Sequence, residues 1–228
     1  APPSKGADWS FTTLGQVPVQ SGGRFKPLDT LARDTVLSVT GSRSFGDWSA
    51  VEILLSWMMD PKAWNTENLI RVGHPDVRRQ LLLNGDQTRF SLNDLVENSA
   101  LGQYAQSRAS ASSESRSGSQ VGVPSGKRDL RDQELNRVLE RIQKLRAVVS
   151  GELITIAPSD DVATGWKAVG EDEASRTRWI ALLQAYGQGN QELFERVSQD
   201  LLDRGMAALQ PAERNRLQAE FAYNRFQF

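Results

Sequence analysis

The stretch "SGGRFKPLDT", Ser21 to Thr30, gathers the chain's densest set of residues able to do chemistry. Two adjacent glycines are followed by Arg24 and Lys26 on either side of Phe25, then Pro27 and Asp29. Glycines ahead of cations can cradle a phosphate. However, the P-loop requires G-x-x-x-x-G-K-[ST] between a strand and a helix, and this spacing is absent. The dinucleotide fingerprint G-x-G-x-x-G is absent too. The pair Gly22-Gly23 reads instead as a turn that needs positive φ, which glycine adopts without a steric penalty. Arg24 can hold a carboxylate or another bidentate anion through its planar fork. The structural reading places Arg24 and Lys26 in ion pairs with Asp29 or with a helix. Gln20, Gly23, Arg24, Lys26, Pro27 and Asp29 are accordingly the candidate interaction or structural residues.

Other reactive types are few. The chain has no cysteine and one histidine, His74. Thiolate nucleophiles, disulfides, redox pairs and multi-imidazole zinc sites are thereby excluded within one chain. A lone imidazole can serve as an axial ligand, but in "VGHPD", ahead of a proline, His74 reads as a surface residue at a helix start. Asp160-Asp161 and Glu171-Asp172-Glu173 pair carboxylates, the second group just ahead of a helix, where acids favour its positive end. The six tryptophans, Trp9, Trp48, Trp57, Trp64, Trp166 and Trp179, are scattered singly. They suit core packing and not a stacking platform for single-stranded nucleic acid. At the C-terminus Phe221, Tyr223, Phe226 and Phe228 crowd into the last eight residues. Such a cluster suits either a helix docking on the core or the interface level of a membrane.

These residues need elements to position them. "QVPVQSGGRFKPL" reads as strand, Gly-Gly turn and strand, with Pro18 and Pro27 confining both to edges. Asp29 is expected to cap a helix over 30–40, ended by Gly41. Asp47 or Ser49 starts a helix through Met59. "HPDVRRQLLLNG" is a helix with Pro75 in its first turn and Asn84-Gly85 as its stop. Ser91 with Asp94 resembles a capping box. Leu135, Val138, Ile142, Leu145 and Val149 recur at spacings of three and four, one seam on a helix over about 129–149. Three helices follow, over 173–186, 191–209 and from Pro211 onward. Short strands are expected at 17–20, 24–28, 69–72 and 153–157. The fold class is therefore mostly α with a few short strands: a helical domain carrying a small β-hairpin.

With 228 residues, the chain is long enough for one large domain or two small ones. Its 27 Lys+Arg balance 28 Asp+Glu for a net charge of -1, so no long-range field gathers nucleic acid, and none is expected as a partner. No run approaches the length of a membrane helix. The N-terminus lacks a basic-then-apolar leader, as expected of an excised piece or of a chain whose leader has been removed. Residues 105–127, "AQSRASASSESRSGSQVGVPSGK", read as a disordered serine-rich insertion. It separates an N-terminal part, 1–104, from a helical C-terminal part, 128–228, expected to pack as one domain.

Three stretches carry a resemblance. "VPVQSGGRFKPLDTLARD" resembles the start of the extracytoplasmic domain of cytochrome c biogenesis proteins of the ResB/CcsA (cytochrome c synthase) type, where such a segment precedes haem-handling membrane helices. "EFAYNRF" resembles that domain's end, where "YNR" leads into the first of those helices. "ELITIAPSDDVATGW" is similar to the family's strand-proline-acid-tryptophan segment. The resemblance spans residues 15–228 apart from the serine-rich insertion. It implies a non-catalytic scaffold or docking module on the periplasmic side of the cytoplasmic membrane, within a complex that attaches haem to apocytochrome c. It implies membrane helices of the same or a partner chain as partners, with apocytochrome c as a further candidate. Tyr223, Asn224 and Arg225 would then be membrane-proximal. The family's tryptophan-rich haem motif and flanking histidines are absent, and His74 matches no motif. No catalytic, cofactor-binding or metal residue is therefore carried over, and haem would be handled by the parent complex. Two other readings stay open: a free-standing envelope enzyme such as a hydrolase, and a module binding cell-envelope material.

Overall fold

The computed structural model describes residues 9–114, 130–156 and 165–226. In chain order it begins with α1 (Thr12–Gly15), the hairpin β1 (Pro18–Ser21) and β2 (Arg24–Pro27), α2 (Leu28–Thr40) and α3 (Ala50–Met59). Then come α4 (Pro61–Trp64), β3 (Ile70–Arg71), α5 (Pro75–Gln80), β4 (Arg89–Phe90), α6 (Leu92–Val96) and α7 (Ser99–Glu114). The last part holds α8 (Leu130–Val149), β5 (Thr155–Ile156), β6 (Lys167–Ala168), α9 (Glu173–Gly187), α10 (Gln191–Ala207) and α11 (Pro211–Phe226). The described fold is thus mostly helical, with three antiparallel two-stranded pairs: β1 with β2, β3 with β4, and β5 with β6. Among the described residues, no helix is long and apolar enough to cross a membrane.

The chain divides into two compact units. A middle unit holds 62–143, and a terminal unit joins the chain up to Pro61 to the chain from Lys144 onward. Residues 105–114 of the serine-rich stretch fall within the middle unit.

In the middle unit, Trp64, Leu69, Ile70, Val77, Phe90 and Leu101 form the core with the first half of α8, where Leu135, Val138 and Ile142 are buried. Ser91 and Asp94 complete a capping box at the start of α6, as their spacing implies. Several expectations need correction here. The helix opened by Pro75 stops at Gln80, before Asn84-Gly85, because Leu82 turns left-handed at φ 54°. The stretch "SLNDLVENSALGQYA" holds α6 and the start of α7. Asn98 breaks the run: its Oδ1 accepts the Leu101 N–H (3.0 Å), opening α7, and its Nδ2 donates to the Leu81 carbonyl (2.7 Å). Residues 105–114, read as disordered, continue α7. That decapeptide has neither glycine nor proline, and alanine, glutamine and arginine tolerate a helix well. The rest of the serine-rich stretch, 115–127, lies outside the described residues. The strand β4 carried no sequence signal.

In the terminal unit, α2 and α3 pack together, and α9 and α10 form a helical hairpin. Their shared interior includes Val36, Ile53, Leu54, Trp57, Trp179 and Phe194. Ser49 caps α3 with Glu52 in a full capping box, and Gly41 ends α2 at φ 72°. Asp172 caps α9 by accepting the Ser175 N–H (2.8 Å), and the Ser175 hydrogen bonds hold its carboxyl below the usual range. The apolar seam of α8 runs on through Leu145 to Val148; Val149, expected in that place, is over a third exposed. The expected strand 153–157 is ordered as Thr155–Ile156, paired with a strand the sequence did not signal, Lys167–Ala168. Asp160 and Asp161 lie outside the described residues.

Candidate functional site

The site grows from the hairpin. Ser21 pairs with Arg24, leaving Gly22 and Gly23 as a two-residue loop with φ of 62° and 76°. Positive φ at both central positions is the turn geometry that follows the right-handed twist of a hairpin, and glycine adopts it freely. Pro18 faces Pro27 across the pair, so neither proline withholds a donor that the ladder needs. Pro27, buried with φ −61° and ψ 148°, precedes α2 directly, so the helix starts at Leu28. Asp29 therefore sits inside the first turn and is not the cap expected of it. Its carboxylate is free to reach sideways, and Arg33 Nε donates to its Oδ2 one turn on (2.8 Å).

The two cations diverge. Lys26, nearly buried, sends its Nζ to Asp34 of α2 (3.1 Å). Arg24 reaches the last helix instead. Its Nη1 donates to Glu220 Oε2 at 2.6 Å and its Nη2 to Oε1 at 3.1 Å, a two-pronged grip. Of the partners considered for these cations, both take a helix carboxylate and neither takes Asp29. The Glu220 hydrogen bond leads in raising the Arg24 pKa. For Glu220, burial pushes its carboxyl up. Hydrogen bonds from Arg24 and Thr30, with the charges of Arg24 and Lys26, outweigh this and hold it below its ordinary value.

Asn224 completes the junction. Its Nδ2 donates to Asp29 Oδ2 (3.1 Å) and to Thr30 Oγ1 (2.8 Å), while the Thr30 hydroxyl serves Glu220. Leu217, Glu220, Phe221 and Asn224 follow at spacings of three, one and three, so they share one face of α11. Leu217 is buried, and the Phe221 ring lies 3.3 Å from where a Cβ on Gly15 would stand. Tyr223 and Phe226 lie on the opposite side, 62% and 86% exposed, and Arg225 is exposed beside them. The C-terminal aromatics thus divide between the two readings: Phe221 docks inward, while Tyr223 and Phe226 face out. Phe228 lies outside the described residues. Gln20, cross-strand from Phe25, is exposed.

The third stretch joins the same unit. Phe25 stacks at a tilt on Trp166, with ring centroids 4.6 Å apart. A small cavity of about 130 Å³ opens between α2 and the end of α11, lined by Thr30, Arg33, Asp34, Leu37, Arg43 and Asn224. The arrangement is a polar clamp whose acids each face a cation or an amide. Among the described residues, no three His, Cys, Asp or Glu side chains converge as metal ligands would. His74 stands apart in the middle unit as the N-cap of α5, its Nδ1 accepting the Asp76 N–H (3.2 Å). This is the helix-start position its sequence context implied.

Sequence reading missed Glu220 and Gly205. A Cβ on Gly205 of α10 would come within 2.6 Å of Pro18 Cδ, so only glycine lets that helix lie on the hairpin. It also missed an aromatic cluster in which Trp9 and Phe11 meet the Tyr186 and Phe194 rings edge-on at 5.0–5.8 Å. The Tyr186 hydroxyl donates to the buried Glu52 (3.3 Å), and burial leads in raising its pKa, followed by the charge of Glu52. None of these contacts joins residues near in sequence, so no local pattern announced them.

No family model matches the chain. It is similar to Protein NrfI of Wolinella succinogenes, with 30% identity over 157 residues. The match takes in 68% of this chain and 16% of NrfI, so the chain spans about a sixth of the length of that relative.

Proposed function

We propose that this chain is an extracytoplasmic docking module of a membrane complex that attaches haem to apocytochrome c. The observation that carries this reading is the convergence of the three stretches on which the resemblance rests. The opening stretch grips the "EFAYNRF" helix through Arg24–Glu220 from the hairpin and Asn224–Asp29 from the start of α2, and touches the "ELITIAPSDDVATGW" segment through Phe25–Trp166. Segments far apart in sequence become one surface. The similarity to NrfI supports a place in cytochrome c biogenesis in general terms; the docking role is the finer proposal.

On this reading α11 is the mechanical element. Its inner face is clamped to the hairpin and α2, and its exposed Tyr223, Arg225 and Phe226 form the membrane-proximal end. Aromatic rings with an adjacent cation suit the headgroup level of a bilayer. Membrane helices of the same or a partner chain would receive this end, on the periplasmic side. Haem is handled elsewhere in the complex, since the single imidazole here already caps α5.

The test uses the complete gene. Arg24→Ala combined with Asn224→Ala should lower the yield of mature cytochrome c in cells while the variant polypeptide still accumulates. A yield equal to the parent's, or a loss that tracks polypeptide degradation alone, would exclude a docking role for the clamp.

A further inference from the structure

We propose that the cavity beside Leu82 in the middle unit docks a cationic segment of a partner protein through an apolar anchor. The starting point is the end of α5. The Leu83 N–H bonds the Arg78 carbonyl (2.9 Å) and the Leu82 N–H bonds the Arg79 carbonyl (3.1 Å). This crossed pair is the Schellman stop, and it puts Leu82 at the left-handed position that glycine usually holds. Leu82 takes φ 54° there and is the one non-glycine residue with positive φ among those described. A side chain in that conformation crowds the backbone. This one is also 92% exposed. Glycine would fold more easily and would show less apolar surface to water. Neither the turn nor the core therefore accounts for a leucine here, and a contact made outside the unit does.

The cavity explains what that contact meets. It holds about 470 Å³, and Leu82, Leu83 and the inward-lying Phe90 supply its apolar wall. Asp94 and Glu97 stand on its rim, and no lysine or arginine lines it. Asp94 keeps one oxygen on the Ser91 N–H as part of the α6 cap. An apolar wall beneath unmatched negative charge suits a segment that inserts an aliphatic or aromatic side chain and sets Lys or Arg beside it. A protein segment fits better than a small ligand, because Leu82, itself part of the cavity wall, carries that apolar surface out onto the open face of the unit. The site does not depend on the function proposed above.

The test uses the whole chain and a labelled ten-residue peptide of alternating Lys and Leu, with an alternating Glu and Leu peptide as control. Fluorescence anisotropy should show binding of the Lys peptide alone. Leu82→Gly and, separately, Glu97→Lys should each weaken it by about tenfold or more, the loss typical of a contact that anchors an interface. Leu82→Gly should melt no lower than the parent, because glycine relieves the left-handed turn; a fall in binding then reports the contact and not unfolding. Equal binding of both peptides, or binding within twofold of the parent in both variants, would overturn the proposal. So would sedimentation showing a parent dimer that Leu82→Gly dissolves, since the occupant would then be a second copy of this chain.

Discussion

Removing the Arg24–Glu220 pair offers the sharpest test of the clamp, because its strength can be bounded from its geometry. The two prongs, at 2.6 and 3.1 Å, are well formed, but the side chains are 49% and 21% exposed. A fully buried pair broken on one side would cost about 3–5 kcal/mol. Exposed pairs are worth roughly 0.2–1 kcal/mol, because water screens them. The bidentate grip and the shelter around Glu220 place this pair at the top of that lower range, so a coupling of about 1 kcal/mol is expected. The sign of its pH dependence follows from Glu220. Its folded pKa lies below the unfolded value, so the contribution is present above about pH 4.5 and fades as the pH falls through the lower folded value. The assay is a double-mutant cycle of Arg24→Ala and Glu220→Gln, by urea melts read through tryptophan fluorescence. Trp9, Trp48, Trp57, Trp166 and Trp179 all lie in the terminal unit, so the signal reports the unit that holds the pair. Molar salt should shrink the coupling, since the screening length there is about 3 Å. A coupling within error of zero at neutral pH, or one that grows on acidification, would refute the clamp as described.

Three further outcomes are expected. Gly205→Ala should destabilise the terminal unit by about 1–3 kcal/mol, because the new methyl meets the rigid ring of Pro18; an unchanged urea midpoint would show that α10 can shift away freely. Gly23→Val forces a β-branched residue to φ 76° and should lose about 1–3 kcal/mol, although nothing crowds the site sterically; a loss below a few tenths would mean the turn rearranges. Haem added to the purified chain should give no sharp low-spin Soret band, and a band that disappears in His74→Ala would contradict the use of His74 as a cap.

What could be read from sequence was what neighbouring residues decide among themselves. Ser91 with Asp94 announces a helix start because both partners of each bond lie within four residues, and Ser49 was one of two candidates for the start of α3. Gly22-Gly23 and Gly41 announce positive φ because glycine adopts it without strain. Two errors arose where a residue took an uncommon place. Leu82 ends α5 in a position that glycine normally marks, so the helix looked four residues longer. Asp29 looked like a cap because aspartate usually is one; but Pro27 leads straight into α2, and the carboxylate is left to serve Arg33 and Asn224.

The clamp itself was only half legible, and the reason is physical. Arg24 declared a need for a carboxylate by its chemistry, but Glu220 lies 196 residues away and looks like any acid on a helix surface. Only the face formed by Leu217, Glu220, Phe221 and Asn224 identifies it, and that face has meaning once α11 lies on the hairpin. The same packing changes how the two ends of the chain must be understood. Asn224 spans Asp29 and Thr30, Thr30 passes the contact on to Glu220, and Glu220 holds Arg24. Every member of that loop touches a member from the other end of the chain. The direction in which α11 leaves the unit is therefore set by the hairpin and the start of α2, not by α11 alone. A substitution at Asp29 should displace Tyr223 and Phe226 although it touches neither, and this is how a turn near the start of the chain can govern what its last helix presents.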